Sequence, residues 1–289
     1  MAYRKILVPL LGTARDAIVL RHGFDLAKTF ASHLAALVIR PDPAEVIPYL
    51  GDGISASVVQ DVMDASREAT KLASAAARSA FDQAAKDAGV ATAPAAQAAV
   101  GVGASLNARE GVIDDVVAEE ARLSDLVLFD CPAEAQQEMG LRAAIEAAIV
   151  NGRKPVLLVP RSVTKIAGAK VAIGWDGGAA AAHAVSAAIP FLKQAESIEI
   201  LTISSGPIDT VQMDRLRDYL RLHGLQAVEH GINPGSQGAA VTLIDAAQRA
   251  GAGLLVMGGY EHSRLREIAL GGVTRHILAH ATMPVLLAH

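Results

Sequence analysis

Cysteine is almost absent from this chain. A lone Cys131 among 289 residues excludes an internal disulfide and suits a reducing cytoplasm. Aromatic residues make up only 3%, so the cores must be built from Ala, Val, Leu and Ile, as suits helices packed on a parallel sheet. No apolar run approaches the roughly 18 residues that a membrane span needs. No signal-peptide pattern precedes the strand pattern that begins at Ile6. A basic excess is missing too: the formal charge is −4, no basic stripe is interleaved with aromatics, and nucleic acid is not an expected partner. There is no Walker lysine motif, no G-x-S-x-G and no H-E-x-x-H, so no nucleophile, base and orienting group can be assembled from motifs.

What is present is a repeat. Short apolar runs alternate with helical periodicity: strands over 5–10, 35–39, 95–100, 126–129 and 156–159, with helices over 14–34, 65–88, 112–121 and 141–150. Residues 44–63 give no clear period and read as a loop or short helix. The pattern then restarts. Lys170-Val171-Ala172-Ile173-Gly174 parallels Lys5-Ile6-Leu7-Val8-Pro9, Gly253-Leu254-Leu255-Val256 parallels Asp125-Leu126-Val127-Leu128, and Pro284-Val285-Leu286-Leu287 parallels Pro155-Val156-Leu157-Leu158. Between them run helices over 180–192, 211–222 and 241–250 and strands over 198–203, 227–230 and 254–257. Two copies of one α/β domain are therefore expected, 1–160 and 168–289. Lys5 maps to Lys170 but Asp125 maps to Gly253, so the first copy carries about 37 extra residues before its fourth strand, placed around 41–88. Each copy ends in a short apolar edge strand, which invites the two copies to pair as a pseudo-dimer within the chain, with a further homodimer left open.

Alternating strands and helices with right-handed crossovers predict a doubly wound, five-stranded parallel sheet in each copy, order 3-2-1-4-5, with helices on both faces. Ligands then bind outside the carboxyl ends of strands one and four, where the order reverses. In the second copy those ends are Trp175-Asp176-Gly177 and Met257-Gly258-Gly259, and Gly271-Gly272 opens the last helix. Glycines at a strand end and a helix start let backbone N–H groups converge on an anion. A carboxylate opposite them would accept an amino or hydroxyl hydrogen bond. The alternative for Asp176 is a turn or cap residue, and for the glycines ordinary turns. The first copy has Leu11 in place of Asp176 and Arg142-Ala143 opposite Gly271-Gly272, so it lacks both the acid and the glycines.

On these residues the chain resembles a tandem member of the universal stress protein family. The resemblance spans both halves and is most specific in the second. It implies the α/β sandwich above and, in some members, ATP bound through a G-x2-G-x9-G-[ST] signature after the fourth strand. Its first glycine falls on Gly258 and its third on Gly271; Glu261 stands at the second and Gly272 at the Ser/Thr position, followed by Val273 and Thr274, which suit the phosphate turn. By the same resemblance Asp176 contacts base or ribose, Ile203 meets the adenine, and Met257 and Tyr260 border the sugar and phosphates. The implied role is a cytoplasmic stress-response or signalling module binding an ATP-type nucleotide, with or without Mg, hydrolysis being slow or absent. The competing reading is an interaction scaffold that binds no nucleotide. Glu261 adds like charge beside a phosphate and disfavours positive φ, so both readings stand.

Lesser candidates have bland alternatives. His276 and His280 stand at i, i+4 but have no third metal ligand by spacing, and a solvated face is the better reading. His262 would touch phosphate or sit in a plain surface loop. Cys131 follows a strand end, where it would be exposed and oxidisable. Trp175 stacks on a base or packs under a helix, and packing is favoured.

Overall fold

The computed structural model describes the chain except residues 1–2, 42–54, 98–99, 132–138, 165, 167–169, 208, 235, 237 and 260–271. By backbone proximity it divides into two compact units: Arg4–Leu128, and Phe129–His289 together with Met1–Tyr3.

In the first unit, β1 (Lys5–Leu10), β2 (His33–Arg40), β3 (Gly103–Glu110) and β4 (Leu126–Asp130) pair in the order β3-β2-β1-β4, all parallel. Ile6, Val8, Leu34, Leu126 and Leu128 have no exposed surface, as expected of strands covered on both faces. The third strand is displaced from the expected 95–100. That stretch is mostly alanine, a poor strand former, whereas Gly103–Glu110 matches β2 residue for residue from His33↔Gly103 to Arg40↔Glu110. A bond of 2.9 Å between His33 Nε2 and Ser105 Oγ ties the two. Helices α1 (Asp16–Phe30), α2 (Ala56–Ala88) and α3 (Ile113–Arg122) complete the unit. α1 is shorter than expected, and α2 starts nine residues before the expected residue 65. Ser55 caps α2, accepting from the Val58 N–H, and Gly89 ends it at φ 64°. At 33 residues α2 holds much of the first copy's extra length.

In the second unit, β5 (Val156–Val159), β6 (Lys170–Gly174), β7 (Ser197–Ile203), β8 (Val228–Ile232), β9 (Leu254–Gly258) and β10 (Val285–Ala288) are joined by α4 (Met139–Glu146), α5 (Ala179–Leu192), α6 (Thr210–Leu222), α7 (Ala239–Arg249) and α8 (Gly272–His280). The second copy runs β8-β7-β6-β9-β10, all parallel, which is the expected 3-2-1-4-5. β5 then pairs antiparallel with β10, with Leu286 opposite Leu157. Both strands are fully buried, so the apolar edges are covered by each other. Tyr3 joins this unit: its O–H donates to the Ala187 carbonyl at 2.6 Å, and its ring lies 5.6 Å from that of Phe191.

Candidate site at the strand ends of the second repeat

The strand order puts the ends of β7, β6 and β9 side by side, with Gly174 level with Leu201 on one side and Met257 on the other. Beyond β6 the chain turns. Trp175 donates its N–H to the Leu201 carbonyl at 3.0 Å. Asp176 is exposed, and its Oδ1 accepts from the Gly178 N–H at 2.9 Å just before α5. This is the turn-capping geometry of an Asx residue, and it engages only one carboxylate oxygen. Among the described residues Oδ2 has no partner and points to no other duty.

Gly258 ends β9 directly beneath the start of α5. A Cβ there would lie 2.5 Å from Ala181 N and 2.8 Å from the Ala180 carbonyl carbon, so only glycine admits the helix this close. Gly259 is looser. A Cβ on it would make ordinary contacts, 3.5 Å to Thr274 Oγ1 and 3.5 Å to Leu287 Cδ2. Gly259 also donates to the Ala288 carbonyl at 2.9 Å. Thr274, 4% exposed in the first turn of α8, therefore stands next to the turn after β9. Gly272 opens that helix, and Val273 is half-buried. Met257 is 5% exposed and belongs to the core, its Cβ beside Gly174, where Leu243 of α7 also packs. Ile203 ends β7, half-buried and level with Ile232. Of the nine residues expected to line a nucleotide site, seven are described, at or near one end of the sheet: Asp176, Ile203, Met257, Gly258, Gly272, Val273 and Thr274. Tyr260 and Gly271, with Glu261 and His262, lie outside the described residues.

Sequence reasoning weighed only the ring of Trp175 and passed over Thr202. Trp175 Nε1 and Thr202 Oγ1 are enclosed, and among the described residues neither has a hydrogen-bond partner. An enclosed donor left unpaired costs about 1–3 kcal/mol, so such groups mark places where a polar partner is wanted. Trp175 is half-buried and keeps this unused donor.

The same position in the first repeat is closed. Asp16, 3% exposed, accepts from the Leu11 N–H at 3.1 Å and the Gly12 N–H at 2.8 Å. Gly12, at φ 71°, lies against the backbone of Ala73 of α2, which a Cβ would meet at 2.4 Å. The amides at the end of β1 are thus already used, and a helix crosses them.

Cys131 is not exposed. It is 8% accessible, and its thiol is pushed up to about 12, first by burial and then by the charge of Asp130. The oxidisable reading fails, because the reactive thiolate does not form near neutral pH. His276 and His280 stack at 4.3 Å, and His280 Nδ1 donates to the His276 carbonyl at 3.0 Å. No cluster of three potential metal ligands occurs among the described residues. No helix among them is long and apolar enough to cross a membrane.

The second repeat is thus a doubly wound parallel sheet with glycines after β6 and at the end of β9, where the strand order reverses. Residues 212–289 match the model of the universal stress protein family. A universal stress protein from Archaeoglobus fulgidus has the same fold across both chains, with a TM-score of 0.69, 14% identity, and 98% of this chain and 97% of that one covered. A putative universal stress protein from Pseudomonas aeruginosa aligns at a TM-score of 0.55 and 16% identity, covering 99% and 93%. The cytoplasmic domain of a prokaryotic cation chloride cotransporter aligns at 0.51 and 14%, covering 98% and 94%. At such identities these likenesses establish the fold and nothing finer. No curated protein matches the chain.

Proposed function

We propose that this protein is a cytoplasmic stress-response or signalling module that binds one ATP-type nucleotide in its second repeat, 168–289, while the first, 1–160, binds none at the equivalent place. The observation that carries this is the approach of Thr274, at the start of α8, to the Gly259 turn, 3.5 Å from where a Cβ would stand. The Thr274 hydroxyl and the first N–H groups of α8 then face the same anion beside the Gly259 turn, whose own N–H is engaged by Ala288. Gly258, Gly271, Gly272, Val273 and Thr274 form the phosphate side. Tyr260 borders the sugar and phosphates, and so does Met257, though its side chain is largely in the core. Asp176 offers Oδ2 to the ribose or base, and Ile203 lies against the adenine. The unpaired Trp175 and Thr202 groups fit a polar ligand at these strand ends. Mg2+ would enter on the phosphate oxygens, since it keeps water and takes few protein ligands.

A second reading has its own observation. Gly258 is required by the packing of α5 whatever binds, so its presence in the signature argues less for phosphate than the sequence implied. In that reading the chain is an interaction scaffold, whose two repeats join as an internal pseudo-dimer.

Calorimetric titration with ATP and Mg2+, together with mass spectrometry of any small molecule released on denaturation, separates the two. The nucleotide reading expects one site per chain, lost in Gly271→Asp, and higher affinity in Glu261→Gly by roughly 1 kcal/mol as a like charge is removed. No binding by either wild type or Glu261→Gly, and no released nucleotide, selects the scaffold. Two equivalent sites contradict the assignment to one repeat, and steady turnover would make the protein an enzyme.

A further inference from the structure

We propose that the first repeat carries a separate site for a small, multiply charged phosphate compound, in a cleft between α2 and the carboxyl ends of β2 and β3. The cleft has a volume of about 1070 Å³, just above the upper end of the range of small-molecule sites. It is not the first repeat's counterpart of the nucleotide cleft, which would lie between β1 and β4 and is closed by Asp16 and α2. It exists because α2 has 33 residues where α6, its counterpart, has 13.

One wall is a stripe of α2. Arg67, Lys71, Ser74 and Arg78 follow at i, i+4, i+7 and i+11, one face of a helix, and all line the cleft. At ~1.5 Å rise per residue, Lys71 and Arg78 stand roughly 10 Å apart along the axis, a spacing that suits an extended anion better than a single phosphate. With Arg40 and Arg109 the lining has five cations against three carboxylates, a net charge of +2 on a chain of −4. These cations are unequally engaged. Arg109 is held by Glu119 at 2.9 Å and Glu120 at 2.8 Å and belongs to the frame. Arg67 with Asp64 (2.8 Å) and Lys71 with Glu68 (3.7 Å) are exposed i, i+3 pairs, weakened by solvent, which an incoming anion displaces at little cost. Arg78 has no ion pair or hydrogen bond among the described residues.

The floor differs in character. Ala108 is exposed, Leu106 half-buried and Val112 43% exposed, so apolar surface lies open beneath a basic wall. A purely solvated helix face would leave neither a concave volume nor a net positive lining. The combination fits a phosphorylated compound whose charged end meets Lys71 and Arg78 while its body covers the floor.

The test uses inorganic tripolyphosphate titrated calorimetrically into the full chain. Saturable binding at one site per chain is expected, weakening as salt is raised. The Lys71→Ala/Arg78→Ala double variant should lose at least tenfold in affinity. Both positions are exposed on a helix where alanine is favourable, and circular dichroism verifies the fold. Gly271→Asp, in the other repeat, should bind as wild type, and so should Lys28→Ala/Lys193→Ala, which removes two cations outside the cleft. The proposal is overturned if wild type does not bind, if the cleft variant binds like wild type, or if Gly271→Asp or the control pair weakens binding as much as the cleft variant.

Discussion

Substituting Gly258 and Gly259 one at a time separates a packing glycine from a ligand glycine. A methyl group at Gly258 would lie 2.5 Å from Ala181 N and 2.8 Å from the Ala180 carbonyl carbon, where ordinary contacts begin at 3.4 Å. The obstacle is helix backbone, which cannot rotate aside as a side chain can. α5 must therefore retreat by most of an ångström, although its own Ala180, Ala181, Ala184 and Val185 are all buried. Overpacking of this kind costs typically 1–3 kcal/mol, and the rigid neighbour puts Gly258→Ala near the top of the range, about 3 kcal/mol. In a domain of this size that is a fall of roughly 6–12 °C in Tm. Gly259→Ala meets its nearest atoms at 3.5 Å and should cost under about 1 kcal/mol. Its methyl would sit beside Thr274 Oγ1, so it should weaken ATP binding while leaving the fold intact. Urea unfolding of the ligand-free variants, followed by calorimetry, reads both effects. If Gly258→Ala is within 0.5 kcal/mol of wild type, the packing account of that glycine is wrong.

Two further outcomes follow from titratable groups. Because the Cys131 thiol is pushed up to about 12, an aromatic disulfide reagent at pH 8 should label native protein at least ~100-fold more slowly than urea-unfolded protein; prompt native labelling would contradict its burial. His33 is held below the usual imidazole range, first by burial and then by Lys5. The unfolded chain therefore takes up that proton at higher pH than the native one, so this contribution to stability is intact above about pH 6.5 and is lost as pH falls toward the lowered native value. Replacing His33 with Gln should flatten that part of the stability profile in urea titrations between pH 7.5 and 5.

The fold could be read from the sequence wherever burial is two-sided. Strands such as Val285 to Leu287 and Leu254 to Met257 are continuous apolar runs ended by glycine or preceded by proline, and nothing but a covered strand explains them. The third strand was misplaced because it is an edge. Gly103–Glu110 buries only Ala104 and Ser105, so its sequence carries little hydrophobic signal, and its position is set by register against β2. The start of α2 escapes notice for a related reason: among its described residues only Ala77, Phe81 and Ala85 are fully buried, all in its second half, so the first half lacks a periodic apolar face. For the site, residue types revealed which positions cluster but not what each one does. Asp176 reads equally as ligand or cap, and the structure gives one of its oxygens to the cap. Gly258 reads equally as phosphate turn or packing position, and only its distance from α5 distinguishes them.

The two repeats solve the same problem at the end of their first strand in opposite ways, and this explains why one chain would keep both. Backbone N–H groups at a strand end need acceptors once they leave the sheet. In the first repeat Asp16 supplies them internally, fixed and buried, and Ala73 covers the turn. In the second, Asp176 satisfies only the Gly178 N–H, remains exposed, and leaves the neighbouring Trp175 and Thr202 groups unpaired among the described residues. A closed end contributes stability and no binding, whereas an open one leaves polar groups for a ligand to satisfy. The extra helix length that closes the first end also carries Lys71 and Arg78 out over β2 and β3. The same helix thus closes one concave surface and lines another, so a first repeat without the proposed nucleotide cleft can still offer a ligand site.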